Sequence, residues 1–298
     1  MNLRPPLLIL SCLLLASLSP AAEELKFQPV PDFFQLPTGV KWGQATGVAL
    51  DAQGNIFVAH RGEHPILLFD AGGKFLRSFG DGAIKVSHGL RLDAVGNVWA
   101  SCLTNHTVCK FSPDGKLLLT LGVPGQSGDD ERHFNRPTDI AFAPNGDLFV
   151  SDGYVNSRVV KFSPAGKFLL AWGRKGKGEG EFVIPHNLRL DSQGRVFVND
   201  RENKRIQVFD QSGKFLHQFG GFASYGLFIS ATDRLFVADG LANKILIFTA
   251  EGEKLTEFGA LGSELGKFNL PHGITGSLDG ALFVAEINGK RVQKFVKQ

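Results

Sequence analysis

The fold is decided by one stretch of sequence, residues 138–173, which reads TDIAFAPNGDLFVSDGYVNSRVVKFSPAGKFLLAWG. It contains four short runs of mainly apolar residues, separated by turn sequences such as Pro-Asn-Gly and Pro-Ala-Gly. Such runs are typical of β-strands, and short turns that contain glycine join antiparallel neighbours. The stretch therefore predicts one antiparallel sheet of four strands.

The same unit recurs along the chain. Its first strand can be aligned six times, beginning at Thr46, His88, Thr138, His186, Tyr225 and His272. One four-stranded sheet cannot bury both of its faces, so repeated copies must pack against one another. β-Propellers pack such sheets radially. We therefore expect an all-β fold, a six-bladed β-propeller.

The two ends of the chain are expected to share one blade. The sixth unit stops after KRVQKFVKQ, residues 290–298, without a fourth strand. The segment LKFQPVPDFFQLP, residues 25–37, precedes the first unit and has no partner within it. We predict that this segment supplies the missing strand and closes the ring, because closure removes exposed sheet edges. Residues 23–298 would then form a single propeller domain.

The overall composition fits this fold and predicts neither a nucleic-acid partner nor a second subunit. The chain has 298 residues, with 36 glycines and 26 phenylalanines, which is typical of short strands joined by tight turns. The formal net charge of +3 is small, and no basic run interleaves with aromatic residues. No nucleic-acid partner is predicted. A propeller of this size needs no second subunit to fold, so a monomer is expected.

The N-terminal residues 1–22 have the pattern of a secretory signal peptide, with an arginine, an apolar run over residues 7–18 and then small residues. The run is too short to span a bilayer, and Cys12 comes too early for a lipid-anchored cysteine. A secreted or periplasmic protein without a membrane anchor is predicted. In such an oxidising compartment Cys102 and Cys109 could pair across one hairpin, if the strand register allows it.

Three histidines stand at equivalent places in the repeat. The first strand of each unit should line the central channel, with its first residue at one rim. His88, His186 and His272 occupy this place in units two, four and six, so they should lie about 120° apart around the axis. Three convergent imidazoles with an open fourth position are the ligand set of a catalytic zinc ion. For one histidine taken alone, a hydrogen-bonded structural role stays open.

Two loops are expected at the same rim, because the chain reverses direction after each strand. They are HRGEH, residues 60–64, and SDGYVNSR, residues 151–158. Arg61 could hold a carboxylate through paired hydrogen bonds, and a nearby metal could favour the phenolate form of Tyr154. The alternative interpretations are a solvated loop charge for Arg61 and an aromatic cover over the blade for Tyr154.

Several segments, in this order, resemble the peptidyl-α-hydroxyglycine α-amidating lyases: HRGEH, PTDIAF, VSDGYVNSRVVKFSPAGKF, PHNLRLD and DRENKRIQVF. Within them, DGYVNSRV is similar to the NHL repeat, and the resemblance runs from about residue 43 to the C terminus. It implies a six-bladed propeller with zinc on His88, His186 and His272. It also implies that Arg61 and Tyr154 are the family's essential arginine and tyrosine.

The reaction that the resemblance implies is cleavage of a peptidyl or N-acyl α-hydroxyglycine to an amide and glyoxylate. Zinc would bind and acidify the hydroxyl group of this substrate, and Tyr154 would take its proton. Arg61 would either favour the phenolate or hold the glycine carboxylate. The partner predicted for this chain is therefore a small-molecule or peptide substrate.

The resemblance also implies a structural calcium ion. Its ligands would be the backbone carbonyls of Val48 and Leu90 and an aspartate directly after the third zinc histidine. In this chain that aspartate is replaced by Gly273. Calcium favours several oxygen ligands that include negative charge, so the substitution argues against calcium in the same form.

Two other functions stay open. A non-catalytic NHL-repeat propeller that binds a protein or glycan through its loop rim would need no tightly bound metal. A propeller lactonase would build its metal site from glutamate, asparagine and aspartate, whereas this rim offers only Asp139 and Asn187 beside histidines. The sequence favours the zinc lyase over both.

Overall fold

A computed structural model describes residues 25–298. The regular secondary structure of this range consists of β-strands. In the same range, no helix is long and apolar enough to cross a membrane. Residues 1–22 lie outside the described residues, so the signal peptide stays a prediction.

The strands form six four-stranded antiparallel sheets, which are the blades of a propeller. The first strand of the chain is β1 (Phe27–Pro29). Blade 1 contains β2 (Ala45–Leu50), β3 (Ile56–His60), β4 (Ile66–Phe69) and β5 (Phe75–Phe79), and blade 2 contains β6 (Ser87–Leu92), β7 (Val98–Cys102), β8 (Thr107–Phe111) and β9 (Leu117–Leu121). Blade 3 contains β10 (Asp139–Phe142), β11 (Leu148–Asp152), β12 (Arg158–Phe162) and β13 (Phe168–Trp172).

The remaining blades follow the same order, after one small addition. The connection from blade 3 to blade 4 contains a short parallel pair, β14 (Arg174–Lys175) and β15 (Glu181–Phe182). Blade 4 contains β16 (Pro185–Leu190), β17 (Val196–Asp200), β18 (Arg205–Phe209) and β19 (Phe215–Gly220), and blade 5 contains β20 (Ser224–Ile229), β21 (Leu235–Asp239), β22 (Lys244–Phe248) and β23 (Lys254–Phe258). Blade 6 contains β24 (Pro271–Gly276), β25 (Leu282–Glu286), β26 (Arg291–Lys297) and β1.

Blade 6 is built from both ends of the described chain. Its strand order is β1–β26–β25–β24, and β1 pairs antiparallel with β26 so that Phe27 is opposite Lys297. The Phe27 ring also stacks on Phe258 of blade 5, with ring centroids 5.2 Å apart. The N-terminal strand thus closes the ring, and the predicted six-bladed propeller is confirmed.

Most of the hydrophobic core lies between adjacent blades. Phe79 of blade 1 contacts Phe111 of blade 2 edge-to-face, with ring centroids 5.6 Å apart. Trp172 of blade 3 contacts Phe209 of blade 4 at a centroid distance of 5.8 Å. Aromatic rings bury a large area each, which explains the many phenylalanines of this chain. Packing on both faces holds the inner strands rigidly, and these strands carry the side chains of the channel.

The register of blade 2 keeps its two cysteines apart. Cys102 of β7 is opposite Thr107, and Cys109 of β8 is opposite Ala100, so the cysteines are two residues out of register. Both are free, buried thiols. The disulfide that the sequence left open is therefore not formed. Burial raises the pKa of the Cys109 thiol, which keeps it in its less reactive protonated form.

Candidate metal centre

The three histidines lie at β-bulges near the start of inner strands. The strand register shifts at Ser87–Leu90 in β6, at Pro185–Asn187 in β16 and at Pro271–Gly273 in β24. Each shift contains or adjoins one of the three histidines. A β-bulge interrupts the regular alternation of side chains and can re-aim one of them. The same shift occurs in β2 and β20, so the bulge is a feature of this place in the repeat, and the alternation comes from which blades carry a histidine there.

His88, His186 and His272 converge on one point of the channel. Their ligand nitrogens all lie within 4.8 Å of one another, and all three residues are buried. The ring centroids are 4.6 to 5.0 Å apart. The Nε2 atoms of His88 and His186 are separated by 3.1 Å. The structure thus brings together the histidines that the sequence places on alternate blades.

The intervening blades orient these rings. Each Nδ1 atom donates a hydrogen bond to a backbone carbonyl of the next blade: His88 to Thr138 (2.8 Å), His186 to Tyr225 (2.8 Å) and His272 to Thr46 (2.7 Å). A carbonyl can only accept, so each Nδ1 carries the ring proton. Each Nε2 then directs a lone pair toward the centre. Hydrogen bonds of this kind usually fix the ligand histidines of metal sites.

Burial keeps these imidazoles neutral. It lowers the pKa of His88 and that of His186 well below the usual value for histidine. Burial also lowers the pKa of His272 to about 3; its hydrogen bond to Thr46 opposes this shift, and the charge of Arg61 adds to it. Neutral imidazole nitrogens are ligands that zinc and related divalent ions bind well. The donor set therefore fits a metal ion with three protein ligands.

The metal-free protein is expected to lose stability as the pH falls below about 6.5. The pKa of His272 is lower in the folded protein than its unfolded value of about 6.5, so this ring takes up a proton more readily after unfolding. This difference costs about 2 kcal/mol of unfolding free energy at pH 5, and His88 and His186 act in the same direction. Thermal unfolding of the metal-free protein at pH 5, 6 and 7 measures it. His272→Gln should reduce the dependence, and an unchanged melting temperature in wild type would contradict the expectation.

Tyr154 lies in the loop between β11 and β12, where its hydroxyl contacts two of the three rings. The phenol oxygen is 3.1 Å from Nε2 of His88 and 3.3 Å from Nε2 of His186. A single hydroxyl proton can satisfy only one of these lone pairs. The phenol therefore stands beside the point at which a metal ion and a substrate atom would meet.

Arg61 lies in the loop between β3 and β4, against the backbone of the cluster. Its Nε donates to the carbonyl of Ser87, the residue before His88, over 3.3 Å. Its Nη1 donates to the side-chain oxygen of Gln44 over 3.2 Å. Burial lowers the pKa of Arg61, while attraction to the Tyr154 oxygen opposes this shift. Arg61 thus joins the loop after β3 to the start of the strand that carries His88.

Arg201 is a charged residue of the site to which the sequence reading gave no role. Its guanidinium carbon lies 5.5 Å from the ring centroid of Tyr154 and 4.8 Å from that of Tyr225. Its side chain is only 12% exposed. A cation over aromatic faces is stabilised by the charge distribution of the rings. The repeat pattern could have indicated a role for Arg201, because Arg201 directly follows β17 in blade 4 as Arg61 directly follows β3 in blade 1.

Comparisons with known proteins agree with this architecture. The NHL repeat model matches residues 134–162 and 182–209, within blades 3 and 4. Mouse NHL repeat-containing protein 3 is 30% identical over 278 aligned positions, which cover 84% of this chain and 78% of that protein. Mouse peptidyl-glycine alpha-amidating monooxygenase is 33% identical over 307 positions, which cover 89% of this chain and 31% of that protein. A probable peptidyl-alpha-hydroxyglycine alpha-amidating lyase of Caenorhabditis elegans is 43% identical over 94 positions, covering 30% of this chain and 27% of that protein.

The chain belongs to a family of NHL-repeat propellers whose members include mouse NHL repeat-containing protein 3 and the peptidyl-α-hydroxyglycine α-amidating lyases. It spans about a third of the length of the mouse amidating monooxygenase, which is the larger protein.

The calcium ion that the amidating-lyase resemblance implies does not fit the residues present. Its expected ligand, the Leu90 carbonyl on β6, accepts a hydrogen bond from Nη1 of Arg91 over 2.5 Å. The other expected carbonyl belongs to Val48 on the neighbouring strand β2. A Cβ atom added at Gly273 would lie 2.8 Å from the Thr46 carbonyl oxygen, so an aspartate there would require the backbone to shift. The carboxylate is missing and one carbonyl is already used.

Proposed function

We propose that this chain is a zinc-dependent lyase that cleaves peptidyl or N-acyl α-hydroxyglycine to an amide and glyoxylate. The observation that carries the proposal is the meeting of three buried Nε2 lone pairs with the hydroxyl of Tyr154, 3.1 Å from His88. The relative of Caenorhabditis elegans that is named a probable amidating lyase supports the reaction class. Held by Nε2 of His88, His186 and His272, zinc would supply Lewis acidity at the open position of the site.

Tyr154 would act as the general base and acid of the cleavage. The substrate hydroxyl loses its proton while its electrons form the aldehyde C=O of glyoxylate, and the C–N bond electrons pass to the nitrogen. That nitrogen takes up one proton to complete the amide, so the reaction is balanced without a co-reactant. As a phenolate, Tyr154 would accept the first proton, and the phenol so formed would return it to the nitrogen.

Two arginines would divide the remaining roles. Arg61 is a cation bound to the residue before His88, the ring that the Tyr154 hydroxyl contacts, so Arg61 would favour the phenolate form. Arg201 lies over the rings of Tyr154 and Tyr225. Its Nε and Nη2 atoms are each 2.8 Å from one carboxylate oxygen of Glu202, so the Nη1 side of the guanidinium is the part that would bind a substrate carboxylate. Arg201 would therefore hold the glycine carboxylate through paired hydrogen bonds.

The proposal predicts release of glyoxylate and amide in equal amounts when residues 23–298 are mixed with an N-acyl α-hydroxyglycine. A zinc chelator should stop the release, and added zinc should restore it. Protein dialysed in parallel without chelator is the matched control. No release from a zinc-loaded sample would refute the lyase assignment. Absence of both release and bound metal would favour the other function considered, a propeller that binds a protein or glycan through its loop rim.

Three further predictions from sequence accompany this proposal. Export to the periplasm or the exterior rests on residues 1–22, which lie outside the described residues. The monomeric state and the absence of a nucleic-acid partner also stay predictions. The substrate would be a small molecule or the C-terminal end of a peptide, because the proposed reaction needs only the hydroxyglycine group and the adjoining acyl group.

A further inference from the structure

A buried charge cluster lies in the channel on three neighbouring inner strands, two of which carry histidines of the metal centre. It consists of Arg91 on β6, Asp139 on β10 and Arg189 on β16. One oxygen of Asp139 accepts a hydrogen bond from Nη2 of Arg91 over 2.5 Å and one from Nη1 of Arg189 over 3.1 Å. The side chain of Asp139 is fully buried, and those of Arg91 and Arg189 are 12% and 14% exposed. Side chains from blades 2 and 4, which flank blade 3, thus bind the same carboxylate of blade 3.

Both arginines also bind carbonyls of the channel wall. Nη1 of Arg91 donates to the Leu90 carbonyl over 2.5 Å, and Nη1 of Arg189 donates to the Leu188 carbonyl over 2.7 Å. Each guanidinium therefore contacts one carboxylate oxygen and one carbonyl oxygen, while Nε of Arg91 and Oδ1 of Asp139 are buried without a hydrogen-bond partner. Carboxylate and carbonyl oxygens are the oxygen types that a calcium ion would bind in the same channel.

The place of Asp139 in the repeat is occupied by Gly273 in blade 6, on the opposite side of the ring. Asp139 directly follows Thr138, as Gly273 directly follows His272. The two residues hold the same place in the repeat, in blades 3 and 6. The amidating-lyase resemblance expects an aspartate at position 273. In this chain the carboxylate at this level of the channel comes from blade 3, and the two arginines neutralise it.

We propose that the guanidinium groups of Arg91 and Arg189, held on Asp139, supply the positive charge of this channel in place of a calcium ion. Through Asp139 on β10, the cluster joins β6, which carries His88, to β16, which carries His186. The Thr138 carbonyl is also the acceptor for Nδ1 of His88. Arg91 and Arg189 are accordingly positioning residues for the histidine cluster, and the fold is organised without calcium.

The first test is the calcium dependence of the wild-type protein. We expect purified residues 23–298 to contain well under one calcium ion per chain by elemental analysis. After chelation and reloading with zinc, millimolar calcium should leave the melting temperature unchanged within about 1 °C. A stoichiometric calcium ion, or a clear rise in melting temperature with calcium, would overturn the proposal. Both measurements are made without substrate, so a failure of the proposed lyase activity would not affect them.

The second test removes members of the cluster. Asp139→Asn leaves two buried guanidinium groups without their carboxylate and should lower the melting temperature by on the order of 10 °C. Arg91→Met should also lower it, and the double variant should lose less than the sum of the two single variants. Arg174→Met is the matched control, because Arg174 pairs with Glu181 at the surface with its own side chain 80% exposed. Changes no larger than in this control would refute the clustered role, and if the variants fail to fold, the wild-type test decides.

Discussion

Replacement of His186 by alanine is expected to abolish zinc binding and glyoxylate release together. Nε2 of His186 lies 3.1 Å from Nε2 of His88, so its loss leaves only two of three converging ligands. Two imidazoles hold a zinc ion weakly compared with three. Lewis acidity at the reacting oxygen contributes several kcal/mol, so the rate should fall by at least about a thousandfold. Metal content after gel filtration and the rate of glyoxylate release measure the two effects.

His217→Ala is the matched control for this variant. His217 is also in blade 4, but it lies on the outer strand β19, where its ring stacks on Phe219. We expect this variant to keep its metal and its activity. Full metal retention in His186→Ala would contradict the three-histidine site. Loss of metal without loss of activity would separate the metal from the reaction.

Tyr154→Phe is expected to keep the metal and lose most of the activity. The three Nε2 atoms remain in place in this variant, while the only hydroxyl within 3.3 Å of two of them in residues 25–298 is removed. A general base contributes a factor of about 10² to 10⁴ to a proton-transfer step, and kcat should fall by this amount. The measurement combines zinc content with steady-state kinetics on an N-acyl α-hydroxyglycine.

The second tyrosine of the chain provides the comparison. Tyr225 gives its backbone carbonyl to Nδ1 of His186, and its ring lies beneath Arg201. Tyr225→Phe removes a phenol oxygen but keeps both contacts. We expect a loss of no more than about tenfold. Equal losses in Tyr154→Phe and Tyr225→Phe would argue against Tyr154 as the base, and an undiminished rate in Tyr154→Phe would exclude it.

The parts of the structure that repeat could be predicted from the sequence. Six copies of one four-stranded unit predict six blades, and the histidines at alternate copies predict three rings around one axis. Both inferences need only the order of the units, because the propeller converts sequence position into angle. The closing strand could also be predicted, since the sixth unit is one strand short and the N-terminal segment has no partner of its own.

The parts that depend on contacts between blades could not be predicted in this way. Cys102 and Cys109 stand near one turn, but the register of β7 and β8 decides that they do not face each other. Arg91, Asp139 and Arg189 lie on three different strands, and nothing in the pattern of one strand shows that their side chains meet. Arg201 had a signal in its place after β17, but its stacking on Tyr154 depends on how blade 3 and blade 4 pack.

The hydrogen bonds that orient the histidines restrict how this propeller can change in evolution. Ligand blades alternate with acceptor blades around the ring, and such a pattern can close on itself only when the number of blades is even. A duplication or deletion of a single blade would place two ligand blades, or two acceptor blades, side by side. The bond from His272 to Thr46 also joins the last blade to the first. Relatives that keep this metal centre should therefore gain or lose blades only in pairs, and a relative with five or seven blades should have abandoned it.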